Sequence, residues 1–220
     1  MVTVISDVLT PEETAAARET LTKVAFVDGR ATAGWAAKLV KNNLQASGAD
    51  IVVQSLRETL SAKISNHPLF RLVARPKALT PLILSRYEPG MAYGSHVDDA
   101  LMNGVRSDVS FTLFLSEEDS YEGGALVIET SAGEEDIRLP AGSMVVYSST
   151  TLHRVAEVTK GARLAAVGWA RSFIRDPARR EMLFDLDTAR QSLFQKQGKT
   201  AEFDLLSKTS ANLLRMWAED

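Results

Sequence analysis

The decisive part of the chain runs from residue 86 to residue 171 and contains two short polar motifs, His96-Val97-Asp98 and Leu152-His153-Arg154-Val155. His96 and Asp98 are two residues apart in a segment that reads as extended, so their side chains leave the same face of one strand. His153 begins a second extended run, over residues 152–157. Two neutral imidazoles and one carboxylate can hold a divalent metal on one face and leave three octahedral positions open. The sequence therefore predicts a metal site at His96, Asp98 and His153.

Arg163 adds an anion-binding group to this site. Residues 159–161, TKG, fit a three-residue hairpin loop with the glycine in the left-handed conformation, which places Arg163 opposite Glu157. In that register Arg163 lies on the same face as His153, roughly 13 Å along the strand. Residues 164–169, LAAVGW, are uncharged, as in a strand buried on both faces, so the guanidinium requires a partner. A short dicarboxylate whose other end chelates the metal would be one.

The order of these motifs resembles the Fe(II)/2-oxoglutarate-dependent dioxygenases. Within them it is most similar to the bacterial PKHD-type hydroxylases, an iron-uptake-associated branch of the prolyl-4-hydroxylase-like group. The resemblance covers nearly the whole chain and is carried by Tyr87, His96-Val97-Asp98, Gly123-Gly124, Leu139-Pro140-Ala141-Gly142-Ser143, Leu152-His153-Arg154-Val155 and Arg163. It implies that His96, Asp98 and His153 are the catalytic iron ligands and that Arg163 and Tyr87 bind 2-oxoglutarate. It further implies Fe(II), 2-oxoglutarate, O2 and L-ascorbate as cofactors.

The activity implied by the resemblance is hydroxylation of an unactivated C–H bond, with release of succinate and CO2 and a link to iron homeostasis. The substrate would be a peptidyl proline or lysine, or an iron-related small molecule. Two other classes stay open. A hydrolase or isomerase with the same two histidines and one aspartate would need a general base beside metal-bound water and gives Arg163 no role. A non-catalytic jelly-roll binding module would tolerate the loss of His96 or Asp98.

Composition limits the remaining possibilities. The chain has 220 residues, 45% of them hydrophobic, a net charge of -3 and no cysteine. Without a basic excess, neither nucleic acid nor an anionic membrane is an expected partner. Because there is no cysteine, disulfides and thiolate metal sites are excluded, so any metal must be held by nitrogen and oxygen. We see no signal peptide and no membrane-spanning run, and we expect a cytoplasmic protein.

Many short strands separated by turn residues predict an α+β protein with a double-stranded β-helix (jelly-roll) core, which is also the fold that the resemblance implies. N-terminal helices should pack on the sheet, over residues 11–23, from Trp35 onward and over 50–65, whereas residues 71–74 and 79–87 read as strands. We expect a catalytic domain over 1–175 and a C-terminal helical subdomain over 176–220. Its helical hairpin should pack in cis or form a homodimer contact.

Three assignments depend on weaker signals. Tyr87 could hydrogen-bond 2-oxoglutarate or be a half-buried strand aromatic with its hydroxyl at the surface. The alternating run 109–115 has a polar face, with Ser110 and Thr112, for which a solvated surface is the simpler interpretation. His67 precedes Pro68, so it should end a helix rather than bind metal.

Overall fold

The structure is a computed structural model that describes residues 1–220. Five α-helices are present: α1 Pro11–Thr22, α2 Ile51–Asn66, α3 Pro68–Ala74, α4 Pro177–Gln197 and α5 Ala201–Trp217. The strands are β1 Thr3–Ile5, β2 Phe26–Asp28, β3 Lys41–Asn42, β4 Leu44–Ala46, β5 Pro76–Leu79, β6 Ile83–Tyr87, β7 Ala92–His96, β8 Leu101–Met102, β9 Val105–Arg106, β10 Val109–Phe114, β11 Tyr121–Gly123, β12 Leu126–Thr130, β13 Gly133–Ile137, β14 Met144–Ser148, β15 His153–Val155, β16 Val158–Gly161 and β17 Arg163–Ser172.

Two antiparallel sheets form the core. The larger sheet has the order β1-β14-β10-β17-β6-β4-β2, with β5 also paired to β17, and the smaller sheet has the order β13-β12-β15-β7-β3. Except for the β12–β13 hairpin, neighbouring strands in each sheet are not consecutive in sequence, as in a jelly roll. The predicted α+β fold with a strand-rich jelly-roll core is confirmed.

The helices form where the sequence provides caps and an apolar face. Thr10 and Glu13 make a reciprocal capping box at the start of α1, with Pro11 in the first turn. Asp50 caps α2, whose buried Val53 and Leu60 belong to the main core of 22 residues beneath the larger sheet. The predicted helices over 11–23 and 50–65 are confirmed to within one or two residues.

Two predicted elements are wrong. The helix expected from Trp35 is absent: residues 29–39 form two short 3-10 helices, and β3 and β4 follow. These strands form because β3 pairs with β7 and β4 pairs with β6, contacts that local propensity does not report. Residues 71–74, expected to be a strand, belong to α3, which Pro68 begins and the left-handed Arg75 (φ 43°) ends. His67 lies between α2 and α3, as predicted for a helix end.

The predicted hairpin before Arg163 is also wrong, because the two strands that it was expected to join do not pair with each other. Gly161 does adopt the left-handed conformation, with φ of 71°. However, β16 pairs with β11, and Arg163 at the start of β17 pairs with Tyr87 of β6 rather than with Glu157. Residues 159–161 belong to strand β16 rather than to a loop, so only the left-handed conformation of Gly161 agrees with the prediction.

The C-terminal helices α4 and α5 pack against each other and, through α3, against the rest of the chain. Asp176 caps α4 and Thr200 caps α5. A buried carboxylate, Asp187, accepts hydrogen bonds from Arg75 (2.6 Å) and from Ser210 (3.1 Å), which ties the end of α3 to α4 and α5. None of the helices is both long enough and apolar enough to cross a membrane.

Candidate metal centre and its cavity

Three side chains from two neighbouring strands meet at one point of the smaller sheet. His96 ends β7, Asp98 follows it by two residues, and His153 begins β15 directly opposite His96. One ligand atom from each of the three lies within 4.8 Å of the other two, and His153 Nε2 is 3.8 Å from Asp98 Oδ2. The three predicted metal-ligating residues are therefore brought together, although Asp98 lies just beyond the strand rather than within it.

Backbone contacts orient both imidazoles. His96 Nδ1 lies 2.8 Å from the carbonyl oxygen of Gly94, and His153 Nδ1 lies 3.0 Å from that of Thr151. A carbonyl can only accept, so each Nδ1 carries a proton, and in the neutral form of each ring the free lone pair is on Nε2. The neutral rings are therefore in the tautomer that presents Nε2 to a metal. The other ring nitrogen, Nδ1, is hydrogen-bonded, as is usual for metal-ligating histidines.

The surroundings keep His96 uncharged. Burial, followed by the neighbouring His153, lowers the pKa of His96 to about 4, against the opposing effects of the Gly94 carbonyl and Asp98. Tyr93 stacks on the His96 ring with the centroids 3.6 Å apart. The neutral form is the one that binds a metal, so the site is prepared for a cation at neutral pH.

Asp98 is held by a buried hydroxyl network. Ser110 in β10 donates to Asp98 Oδ2 at 2.6 Å and is 2.8 Å from the hydroxyl of Ser149. All six residues of β10 are buried, and Thr112 lines the same cavity. The interpretation of this polar face as solvent-exposed is wrong, because the alternation places Ser110 and Thr112 between the two sheets, at the site.

Arg163 lies on the opposite wall of the same cavity, in the larger sheet. It is only 1% exposed, yet its Nε and Nη2 have no hydrogen-bond partner, and its guanidinium lies over the rings of Tyr87 (5.4 Å) and Phe114 (5.2 Å). A fully buried guanidinium with unpaired nitrogens is costly unless an anion completes it.

Tyr87 is buried beside this guanidinium, not half-exposed on a strand. Burial raises the pKa of Tyr87 to about 12, despite the Arg163 charge and the Asn43 amide, which act in the opposite direction. Its hydroxyl therefore stays protonated and can donate to an anion bound at Arg163. His67, in contrast, lies outside the cavity lining, as predicted.

Sequence reasoning missed the polar residues of β3 and β4 and the residue between them. Lys41, Asn43 and Gln45 are all buried and all line the cavity. Their spacing of two residues is the signal that could have found them, because it is the strand period of one inward face. A polar face usually points to solvent, and this one points into the cavity.

The donor set fits a ferrous ion with a keto-diacid. Two imidazole Nε2 atoms and one carboxylate suit non-haem Fe(II), and they come from one side of the cavity. The unpaired nitrogens of Arg163 face the same cavity from the other side and suit a carboxylate.

Comparison with known proteins agrees with this chemistry. Residues 82–171 match the family described as the 2OG-Fe(II) oxygenase superfamily, and residues 177–219 match the PKHD-type hydroxylase C-terminal domain. A PKHD-type hydroxylase of Picosynechococcus is 57% identical over 98% of both chains. Another from Acaryochloris marina is 52% identical over the full length of both.

Solved structures are similar in fold. A Pseudomonas putida prolyl-4-hydroxylase superposes with a TM-score of 0.52 at 22% identity, covering 78% of this chain and 92% of its own. HygX from Streptomyces hygroscopicus, solved with nickel and 2-oxoglutarate bound, gives a TM-score of 0.57 at 16% identity, covering 79% and 84%. A Trichoplax adhaerens prolyl hydroxylase in complex with a peptide fragment gives 0.54 at 15%, covering 77% and 82%.

Proposed function

This chain belongs to the PKHD-type hydroxylases of the 2OG-Fe(II) oxygenase superfamily. We therefore propose that it hydroxylates an unactivated C–H bond with release of succinate and CO2. Membership makes it an oxygenase, an oxidoreductase whose family uses Fe(II), 2-oxoglutarate and O2. It also disfavours both the metal hydrolase or isomerase and the non-catalytic binding module.

We assign the residues as follows. His96, Asp98 and His153 would hold Fe(II), and Arg163 with Tyr87 would hold the far carboxylate of 2-oxoglutarate. The observation that carries this assignment is that a preorganised cluster of two histidines and an aspartate and a buried, unpaired guanidinium line one cavity from opposite sheets. A metal hydrolase would leave that guanidinium without a function.

The protein's part in the reaction is orientation and exclusion of water. Bound together, Fe(II) and 2-oxoglutarate supply the oxidative decarboxylation that activates O2 for C–H hydroxylation. Gly94 and Thr151 fix the two imidazoles and Ser110 fixes Asp98. Tyr87 lies beside Arg163, where its hydroxyl would donate a hydrogen bond to the bound carboxylate.

Several finer features are part of the proposal. The substrate is a peptidyl proline or lysine, or an iron-related small molecule, with a link to iron homeostasis, and L-ascorbate keeps the iron reduced. Proteins of this fold have been solved with a peptide fragment bound in one case and with hygromycin B bound in another, so the scaffold can hold either a peptide or a small molecule.

We also propose a catalytic domain over 1–175, a helical subdomain over 176–220 and a cytoplasmic location. Exposed apolar side chains on α4 and α5 support a homodimer contact there, namely Met182 (53% exposed), Leu205 (58%) and Met216 (74%). Sedimentation of the purified protein at several concentrations tests that contact.

The decisive experiment adds Fe(II) and 2-oxoglutarate anaerobically and records the visible metal-to-ligand charge-transfer band. The wild-type protein should show the band. His96→Ala should abolish it, whereas His67→Ala, which changes the histidine outside the cavity, should retain it. Succinate release against a panel of peptides and small iron-chelating compounds then narrows the substrate.

Arg163→Met should raise the 2-oxoglutarate concentration that gives half of the maximal band intensity by about tenfold or more. This is the loss of affinity expected when a charge-assisted pair is removed. Its matched control is Arg154→Met, which removes a partly exposed arginine of β15 that pairs with Glu134. Absence of the band in the wild type, or equal effects of the two arginine variants, would reject the assignment.

A further inference from the structure

Lys41 is the only buried lysine in the chain, with 7% of its surface exposed. Its ammonium donates to Thr32 Oγ1 at 3.1 Å and lies 4.9 Å from the ring centroid of Tyr93. It forms no ion pair with a carboxylate, whereas Arg75, outside the cavity and with 11% of its side chain exposed, has such a partner in Asp187. Burying an ammonium without a counter-ion costs free energy, so the position requires a reason.

The location of Lys41 relates it to the metal cluster. Lys41 pairs with Tyr93 across β3 and β7, and the Tyr93 ring stacks directly on His96. The ammonium is therefore separated from a metal-facing imidazole by one aromatic ring. Lys41 lines the same cavity as His96 and Asp98, where a substrate carbon must come close to the metal.

The neighbouring amide is also without a partner. Asn43, two residues along and on the same face, is 2% exposed, and its amide makes no hydrogen bond of good geometry, although it lies close enough to the Tyr87 hydroxyl to lower the pKa of Tyr87. An ammonium without a counter-ion and an amide without a partner, side by side in a cavity wall, form a polar surface that a ligand would complete.

The cosubstrate does not account for Lys41. The far carboxylate of 2-oxoglutarate is assigned to Arg163 and Tyr87, which belong to β17 and β6 of the larger sheet. Lys41 lies on β3, the edge strand of the smaller sheet. The two cations therefore occupy different walls and can bind two different anions.

Local structure does not account for it either. The Thr32 hydroxyl already donates to the Gly29 carbonyl (3.0 Å) and accepts from Gln45 Nε2 (2.8 Å), so it is satisfied without the ammonium. A contact with the Tyr93 face is worth on the order of 1 kcal/mol, less than the cost of a buried unpaired charge. An apolar side chain of similar length would serve the fold better.

We propose that Lys41 binds an anionic group of the substrate, a carboxylate or a phosphate, and that Asn43 supplies hydrogen bonds beside it. This inference rests on the proposed function and deepens it, because it restricts the substrate class. An interior proline or lysine of a polypeptide carries no anion next to the reacting carbon. A chain-terminal residue, a free amino acid or a small carboxylated or phosphorylated molecule does.

The test measures the binding of matched probes to the protein loaded with Ni(II) and 2-oxoglutarate, in which no turnover occurs. The probes are N-acetyl-L-proline, its uncharged amide and inorganic phosphate, titrated calorimetrically. The wild type should bind one of the two anions about tenfold or more tightly than the amide, as expected for a charge-assisted hydrogen bond. Which anion binds identifies the source of the charge.

Variants connect that preference to the residue. Lys41→Met should remove the preference and leave the dissociation constant of 2-oxoglutarate within about twofold, and Lys41→Arg should retain it. The matched control is Lys38→Met, which removes an exposed lysine of the same segment and should change nothing. A preference that persists in Lys41→Met, or an amide that binds as well as both anions, overturns the proposal.

Two outcomes separate this proposal from the proposed function. If Lys41→Met weakens 2-oxoglutarate about tenfold, the lysine holds the cosubstrate and the substrate assignment is wrong, although the oxygenase assignment stands. If the wild type fails to bind Fe(II) with 2-oxoglutarate, the oxygenase assignment fails. In that case the anion site at Lys41 can still be tested on the metal-free protein. The anion should raise the melting temperature of the wild type and leave that of Lys41→Met unchanged.

Discussion

Replacement of Lys41 by methionine should stabilise the protein while it impairs substrate binding. Burial lowers the pKa of Lys41 from 10.5 to about 8, against the opposing charges of Asp98 and Asp28. The side chain is 7% exposed, so solvent screens the effect only slightly. At roughly 1.4 kcal/mol per pKa unit, the charged lysine costs the folded state about 3 kcal/mol. Loss of the Thr32 hydrogen bond and the Tyr93 contact reduces the expected gain to about 2 kcal/mol.

The pH dependence follows from linkage. Between about pH 8 and pH 10.5 the unfolded chain binds one more proton at Lys41 than the folded chain, so the stability of the wild type rises with pH in this window. The cost of the lysine is fully present below about pH 8 and disappears above pH 10.5. The advantage of Lys41→Met should therefore be greatest near pH 7 and should fall as the pH rises through this range.

The assay is urea unfolding of both proteins, freed of metal with a chelator, at about pH 7, 8.5 and 9.5. The difference in unfolding free energy at each pH isolates Lys41, because all other titrating groups are shared. If Lys41→Met were less stable than the wild type at neutral pH, the ammonium would have a structural role. A difference that did not vary with pH would show that the lysine is not desolvated. Either result would refute the reasoning.

Three further predictions concern the site and the C-terminal helices. Ser110→Ala removes the hydrogen bond to the aspartate of the cluster and should weaken metal binding about 10- to 100-fold, measured by calorimetry with Ni(II). Gly124→Ala places a Cβ 2.8 Å from Val158 Cγ2 and 3.1 Å from Arg163 Cδ, which should displace the arginine and raise the 2-oxoglutarate dissociation constant several-fold, whereas Gly104→Ala, with a similar positive φ and nothing within 4 Å, should not. Asp187→Ala removes the carboxylate that pairs with the mostly buried Arg75 (11% exposed) and should lower the unfolding free energy by about 3 kcal/mol in urea titrations.

Part of the metal cluster and the burial of Arg163 could be predicted because they depend on local rules. A two-residue spacing on an extended segment fixes the relative orientation of His96 and Asp98, and the ligand types fix the chemistry. The burial of Arg163 followed from the uncharged run after it. These rules need no knowledge of which strands are neighbours. His153, in contrast, reaches His96 only because β15 pairs with β7, and its place in the cluster was inferred from the ligand types and the family resemblance.

The remaining features depend on strand pairing between distant parts of the chain. The left-handed conformation of Gly161 agrees with the prediction, but residues 159–161 belong to β16 instead of a loop, and nothing near them in sequence shows that β16 pairs with β11. The strands around Lys41 and Asn43 are held by β6 and β7, which lie far along the chain, so the local pattern did not identify them. The inward polar face of β10 was misjudged because a polar cavity and bulk water select the same residue types.

One wall of the cavity is held by strand hydrogen bonds and its rim is not, and this difference affects how the substrate specificity of the protein could be changed. Arg163 begins a ten-residue strand that is hydrogen-bonded on both sides, so its amides should exchange with solvent only when the whole domain unfolds. Residues 29–39, at the rim, contain only short 3-10 turns and should open locally. Laboratory evolution aimed at this rim could therefore change which molecule is accepted without disturbing the oxidative chemistry beneath it.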